Sequence, residues 1–376
     1  MKSMRMVLKT ASCIAAAVSA VLPLSTFGGV FTAAPLTAYA DESTGDLYYA
    51  IEDDHAVITG CKQGVSDVEI PAALDGKSVT AIGDYAFNGS SVTSIKIPDS
   101  VTTIGNDAFS MSTKLKSVTL PDSLQYIGIR AFEMCSSLAE ISFPDHMVEM
   151  SSMVFDSTPW ITEQRQKDPL VIVNGNLIDG QAAKGDIVIP SSVTYVSAGA
   201  FTRNENITSV VFPSSIKKVK DNTFFYCSNL KSADVRYATE IESMAFAYCG
   251  KLSELKLSGK LTKIDYYSFS DIEARANITV YGSKADWDKV DKNADDKFLN
   301  NASYTFDESF VPPAEDVEGD INKDGEFNTA DLLLLNKWLL GTPDTELKDW
   351  KAGDFTKDEV LDIYDLVMMR KALISK

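Results

Sequence analysis

Two twelve-residue stretches near the C-terminus, 34 residues apart, carry oxygen-bearing side chains at the spacing that a hard divalent cation needs. The first runs Asp320, Asn322, Asp324, Gly325, Glu326, Asn328, Asp331 and leads into LLLLNKWLLG. The second runs Asp354, Thr356, Asp358, Glu359, Val360, Asp362, Asp365 and leads into LVMMRKALI. Oxygens at loop positions 1, 3, 5, 9 and 12, with the position-7 backbone carbonyl of Glu326 or Val360, make a Ca2+ coordination set, and glycine at position 6 makes the sharp turn. A single Asp/Asn/Gly cluster of this kind is also found as an ordinary solvated turn. Tandem duplication, with a helix pattern on the C-terminal side of each loop, favours the cation. The second loop departs at two places. Glu359 stands where glycine is expected, at a cost of about 1–2 kcal/mol if positive φ is required, and Thr356 replaces the usual Asp or Asn. Two calcium ions are therefore expected, the second bound more weakly.

The stretch before Asp320, FVPPAEDVEG, is acidic, contains two prolines and lacks helical period, so no entering helix is expected. This loop-then-helix duplication resembles the type I dockerin over residues 318–376. The resemblance implies calcium-dependent docking to a cohesin domain on a scaffoldin, with contacts at loop positions 10 and 11 and at two residues of the following helix. Those positions hold Thr329, Ala330, Asn336 and Lys337 in the first repeat, and Ile363, Tyr364, Arg370 and Lys371 in the second. The second set carries the larger anchors and two cations, so docking is expected to be asymmetric and to use it predominantly.

Upstream, residues 67–281 repeat with a period near 23. Phenylalanine recurs at 87, 109, 132, 155, 201, 224, 246 and 269, and an aliphatic residue or Met150 precedes each of these by five. Short alternating strands recur in phase at 94–98, 117–121, 140–144, 186–190 and 209–213, followed by SADV, ELKL and NITV. In each, two apolar residues such as Ile95 and Ile97 face one way while Lys96 faces the other. One coil cannot bury its own apolar face, so stacking must do it. About ten strands at ~4.8 Å make a rod or arc of roughly 50 Å. The pattern L-x-x-I-x-I-P-x-S-V-x-x-I-G-x-x-A-F resembles BspA-like leucine-rich repeats, best at 79–144 and 186–257. The resemblance implies binding to a protein or a surface. The fold expected is an α/β-type, strand-rich leucine-rich-repeat solenoid with parallel strands, plus a small all-α calcium-binding dockerin-like domain.

The array needs capped ends. Residues 46–61 alternate like a closing hairpin, while 283–299 reads as an amphipathic helix before a final strand at 303–306. One irregular coil, 159–180, holds a strand LVIV and an Asn-Gly turn. Its Trp160 stands either on an exposed functional loop or packed beneath it. Tyr226 and Tyr248 share one register and Tyr126 and Tyr195 another. Such rails either stack on a ligand or cover coil edges.

No catalytic constellation is legible. The acids Asp84, Asp107, Glu133, Glu140, Asp234, Glu242 and Glu254 fall in different registers, whereas glycosidases place two carboxylates across a cleft. His55 and His146, the two histidines of the chain, lie near no nucleophile signature. Neither a Gly-rich phosphate loop nor Cys/His metal spacing occurs.

Lys2, Arg5 and Lys9, an apolar stretch over 11–24 and Ala38-Tyr39-Ala40 read as a secretory signal peptide over 1–40. Its loss removes three of 35 basic residues and none of the 53 acidic ones, moving the net charge from −18 to −21. That charge argues against nucleic acid and anionic membranes as partners. Cys61, Cys135, Cys227 and Cys249 remain. The last three each follow a repeat phenylalanine by three, which reads as small buried side chains, with a Cys227–Cys249 bridge as the alternative. The organisation expected is a signal peptide (1–40), cap hairpin (41–66), array (67–281), C-terminal cap (282–306), linker (307–317) and calcium module (318–376). The reading is a secreted, noncatalytic, cellulosome-associated protein that docks on a cohesin. Its repeats are expected to bind another protein, a cell surface or plant-wall material. The alternatives are a polysaccharide-degrading enzyme with an unrecognised cleft, and a free adhesin or inhibitor whose calcium module is a stabilising cap.

Overall fold

The computed structural model describes residues 42–310, 318–323, 326–343, 345–358 and 360–374; the leader 1–40 lies outside them, as does 311–317 of the linker. The repeats wind into a β-solenoid of about eleven turns. Each regular coil contributes two strands, where one was expected. The longer strands, such as Ser117–Thr119 and Glu140–Ser142, pair in parallel one coil to the next. The aliphatic residue five before each phenylalanine sits in a second ladder of two-residue strands: Thr103–Ile104, Tyr126–Ile127 and Glu149–Met150. Inward residues are buried as the alternation requires. Val118 and Leu120 are inside, and Thr119 between them is exposed.

Between the ladders runs the phenylalanine column. Ring centroids are 5.0 Å apart for Phe87–Phe109 and 4.9 Å for Phe109–Phe132, with planes within 5°. The spacing of neighbouring strands, about 4.8 Å, forces this near-parallel stack. Residues two before and two after each phenylalanine take the left-handed conformation, as Asp107 (φ 53°) and Met111 (φ 59°) do around Phe109. Strain at such non-glycine positions is of order 1–2 kcal/mol each. Offsetting it, Asp107, Phe109 and Met111 donate their N–H groups to Ile129, Ala131 and Glu133 of the next coil at 2.7–2.9 Å.

At several coils the residue three after the phenylalanine has one recurring job. It donates to the carbonyl at the phenylalanine register of the preceding coil: Ser112 to Phe87 (2.6 Å), Cys135 to Phe109 (3.0 Å), Cys227 to Phe201 (3.1 Å) and Cys249 to Phe224 (3.1 Å). The cysteines are therefore buried small donors, and all four thiols are free.

The column breaks once. In the irregular coil Gly180 occupies the phenylalanine register: its N–H donates to Ala200 O, and its carbonyl accepts from Asn204, three after Phe201. A Cβ there would meet the Phe201 ring at 2.2 Å. The buried core divides at the same place, one cluster ending at Val171 and the other starting at Leu177. The array is thus two blocks in tandem. Each opens on an antiparallel hairpin, Leu47–Glu52 with His55–Cys61 and then Val171–Val173 with Asn176–Asp179. Each closes on helical structure. Helix α1 (Pro159–Lys167), unforeseen in the sequence, ends the first block. Its Trp160 is buried against Phe155 at 5.0 Å, so the exposed-loop alternative is excluded. The second block ends not in one helix over 283–299 but in two, α2 (Lys284–Trp287) and α3 (Lys297–Asn301), because Asp288–Asp296 turns back to bridge Lys263 at Asp291. Phe298 of α3 continues the stack beyond Phe269 at 5.0 Å. The final strand Ser303–Phe306 pairs with Asn277–Tyr281 as expected. No helix among the described residues is long and apolar enough to cross a membrane.

Burial pushes the Cys135 and Cys227 thiols up to about 12, and Cys249 well above its ordinary value. Since the thiolate is the nucleophile, native protein near neutral pH should label at half-buried Cys61 in preference to the other three. Residues 41–376 should show four thiols in denaturant without reductant. A count of two would establish a bridge and contradict the buried-donor role.

Candidate calcium centre and docking face

The two C-terminal loops close in the same way. Asp331, at position 12 of the first, is fully buried. Its carboxylate accepts the N–H of Asn322 (3.2 Å, position 3) on one oxygen and of Asn328 (2.9 Å, position 9) on the other. Asp365 repeats this in the second loop, accepting from Thr356 N (2.9 Å) and Asp362 N (2.8 Å), with the Thr356 hydroxyl adding a third bond at 3.0 Å. Burial alone would raise the Asp365 carboxyl, but the N–H donors of Asp362 and Thr356 outweigh it and hold it below its ordinary value. Position 4 is left-handed in both loops, at Lys323 (φ 52°) and Lys357 (φ 55°). Within the second loop, Asp354 accepts from Asp358 N (3.3 Å) and Asp358 from Val360 N (2.9 Å).

Each loop then launches a helix. Asn328 caps α4 (Thr329–Leu339) through Ala330 N at 2.7 Å, and Asp331 completes the capping box. Asp362 accepts from Tyr364 N at 2.7 Å at the start of α5 (Ile363–Ile374). The described donors are all oxygens, anionic in part and organised around a buried carboxylate, which fits a hard cation such as Ca2+. Asp320 is buried, and Asn322, Glu326 and Asn328 complete the first described set. Asp324 and Glu359 lie outside the described residues. Among the described residues no three His, Cys, Asp or Glu side chains converge as a metal cluster. The calcium pattern also draws on Asn322, Asn328, Thr356 and the carbonyls of Glu326 and Val360. The core beneath is small: Ile321, Phe327, Leu335 and Met369 are the buried hydrophobics, with Phe327 against Phe355 at 5.7 Å. Gly319 (φ 92°) leaves room for it, since a Cβ there would meet the Phe327 ring at 2.3 Å.

All eight residues expected to meet a partner are exposed: Thr329, Ala330, Asn336 and Lys337 on α4, and Ile363, Tyr364, Arg370 and Lys371 on α5. Sequence reasoning missed their apolar neighbours. Val367 and Met368 extend the α5 face beyond Tyr364, while Leu333 and Trp338 stand out on α4. Helical spacing of three and four from the loop-end residues could have found them.

On the array the tyrosine rails are internally engaged. Tyr226 and Tyr248 stack on each other at 4.7 Å, with Phe225 edge-on, so their shared faces are covered. Tyr126 meets Ser151 at 2.8 Å, and Tyr195 donates to Glu149 at 2.5 Å. One pair of acids that spacing did not reveal is brought together. Arg165 of α1 binds Asp179 at 2.6 Å and Asp156 at 3.2 Å.

The BspA type leucine rich repeat model matches residues 61–178 and 180–289 in six copies, meeting at Gly180. The Dockerin type I domain model matches 318–374. A solved leucine rich repeat protein from T. pallidum is 26% identical, covering 56% of this chain and 90% of that one, with TM-score 0.34. A leucine-rich repeat protein from Bacteroides ovatus is 26% identical over 64% of this chain and 58% of that one, TM-score 0.35. A leucine rich cell surface protein from Faecalibacterium prausnitzii is 21% identical over 68% and 98%, TM-score 0.32. No curated protein matches. Type I dockerin domains bind calcium and imply a cohesin partner, and the two families together point to an extracellular, cellulosome-associated or cell-surface protein. With its repeats matched over more than half its length and its two C-terminal loops matched as a dockerin, the chain belongs to the BspA-type leucine rich repeat family and carries a type I dockerin domain.

Proposed function

We propose that this is an exported, noncatalytic binding protein, held on a cellulosome scaffold by its dockerin in the setting of plant polysaccharide breakdown. Residues 1–40 serve as the signal peptide, and the linker 307–317 tethers the module 318–376 to the array. The observation that carries the reading is the paired loop geometry: two carboxylates, Asp331 and Asp365, each closing a loop and starting a helix whose outer face is bare. Two calcium ions fill the loops, the second held more weakly because of Thr356 and Glu359. With so few buried side chains, ion binding supplies much of the module's folding free energy.

Docking is asymmetric. Ile363, Tyr364, Val367 and Met368 give α5 a broad apolar anchor flanked by Arg370 and Lys371, while the corresponding loop-end pair on α4 is Thr329 and Ala330. The array supplies a second binding function and no chemistry. Asp156 and Asp179, which line a cavity, are clamped by one guanidinium rather than set across an open cleft.

Cohesin capture with calcium should be strong, and excess chelator should abolish it. Tyr364→Ala should cost on the order of 2 kcal/mol of affinity and Thr329→Ala far less. Capture undiminished by chelator refutes calcium-dependent docking, and equal losses in the two variants refute asymmetry. In a reducing-sugar assay on cellulose, xylan and pectin the protein should stay at background. Release of sugar that a single Asp or Glu substitution removes would restore the enzyme reading.

A further inference from the structure

The seam between the two blocks contains a cavity of about 190 Å3, half enclosed. It is lined from both sides of the break in the column, by Phe155, Ile161 and Arg165 of the first block and by Asp179, Gly199 and Arg203 of the second. Its floor is apolar, formed by Val154, Phe155 and Ile161. Its polar lining holds Asp156 and Asp179 on Arg165, with Arg203 on the second block. Two groups there are unspent. Arg203 is exposed and lines the cavity, and its guanidinium has no ion pair or hydrogen bond among the described residues. One oxygen of Asp156 likewise accepts no bond, since Arg165 takes the other.

We propose that this seam cavity binds a single sugar ring bearing a carboxylate, a uronic-acid residue. Cavities of about 150 Å3 hold one six-membered ring, and pockets at block interfaces with an apolar floor and few polar groups are the usual form of a small-ligand site. A pyranose offers an apolar C–H face to Phe155 and Ile161, and vicinal hydroxyls to the free Asp156 oxygen. Its carboxylate suits the Arg203 fork, which takes two parallel bonds from a planar anion. A neutral hexose would leave that cation without a partner, and a purely apolar acid would leave the Asp156 oxygen without a donor. The inference specifies the array's ligand within the proposed function and is independent of docking.

Calorimetric titration of the chain from Asp41 to Lys376, in calcium, with galacturonate, glucuronate, galactose and glucose tests it. The uronates should bind, and Arg203→Ala should weaken them at least about tenfold, as loss of a bidentate charge-assisted pair implies. The parent hexoses should bind more weakly and respond little to Arg203→Ala. Trigalacturonide distinguishes sources: binding at least as tight as the monosaccharide indicates a polymer end, and binding of the monosaccharide alone indicates a free acidic sugar. No uronate binding up to about 20 mM, or equal affinity for hexoses with no effect of Arg203→Ala, overturns the proposal. Arg203→Ala should retain cohesin capture, so failure of the sugar site and failure of docking are read separately.

Discussion

Every regular coil of this array depends on its neighbours for the burial of one phenylalanine ring, and the consequences of that dependence run the length of the structure. A ring between two others about 5 Å away loses nearly all its water. The same spacing aligns the strand ladders, places the left-handed pairs opposite their acceptors, and sets each Ser112- or Cys135-type donor against a carbonyl one coil back. Each block's run of repeat phenylalanines is covered at its C-terminal end, by Trp160 over Phe155 and by Phe298 over Phe269. Where Gly180 interrupts the stack, side chains replace the missing backbone ladder. Asn176 donates to Val148 O at 2.9 Å and Tyr195 reaches Glu149 across 46 residues of sequence.

The C-terminal domain meets the same demand for closure with different means. Its buried hydrophobics are too few for independent stability, so two carboxylates act as hubs that collect N–H groups from positions 3 and 9 of their loops. This concentrates negative charge in a chain that is already acidic. In the proposed reading a divalent cation relieves that repulsion, linking folding of the domain to ion supply. The array and the C-terminal domain bury separate clusters and share no core among the described residues.

Much of this was legible in the linear sequence because its determinants are periodic. The phenylalanine register, the longer strands, the opening hairpin and the loop-helix pairs follow from residue type at fixed spacing. The second ladder was not, since two-residue strands such as Tyr126–Ile127 carry no alternation to read. Nor was α1, whose apolar content is confined to Trp160 and Ile161 in its first turn. The second cap failed as one helix because its polar and apolar residues fit a helical face only until Asp291 must bridge Lys263. The doubled spacing between Phe155 and Phe201 did mark the seam, but Gly180 as the empty register and Arg165 as the clamp emerge only from contacts. At the candidate calcium centre, spacing names the proposed donors, and the hub role of Asp331 and Asp365 required geometry.

Hydrogen exchange followed by mass spectrometry on the whole chain, with calcium and with excess chelator, tests the division of labour most directly. The account predicts that amides of Thr329–Leu339 and Ile363–Ile374 lose protection when calcium is removed, while those of the phenylalanine coils from Phe87 to Phe269 keep theirs. Retained protection in both helices without calcium, or loss spreading into the coils, would contradict it.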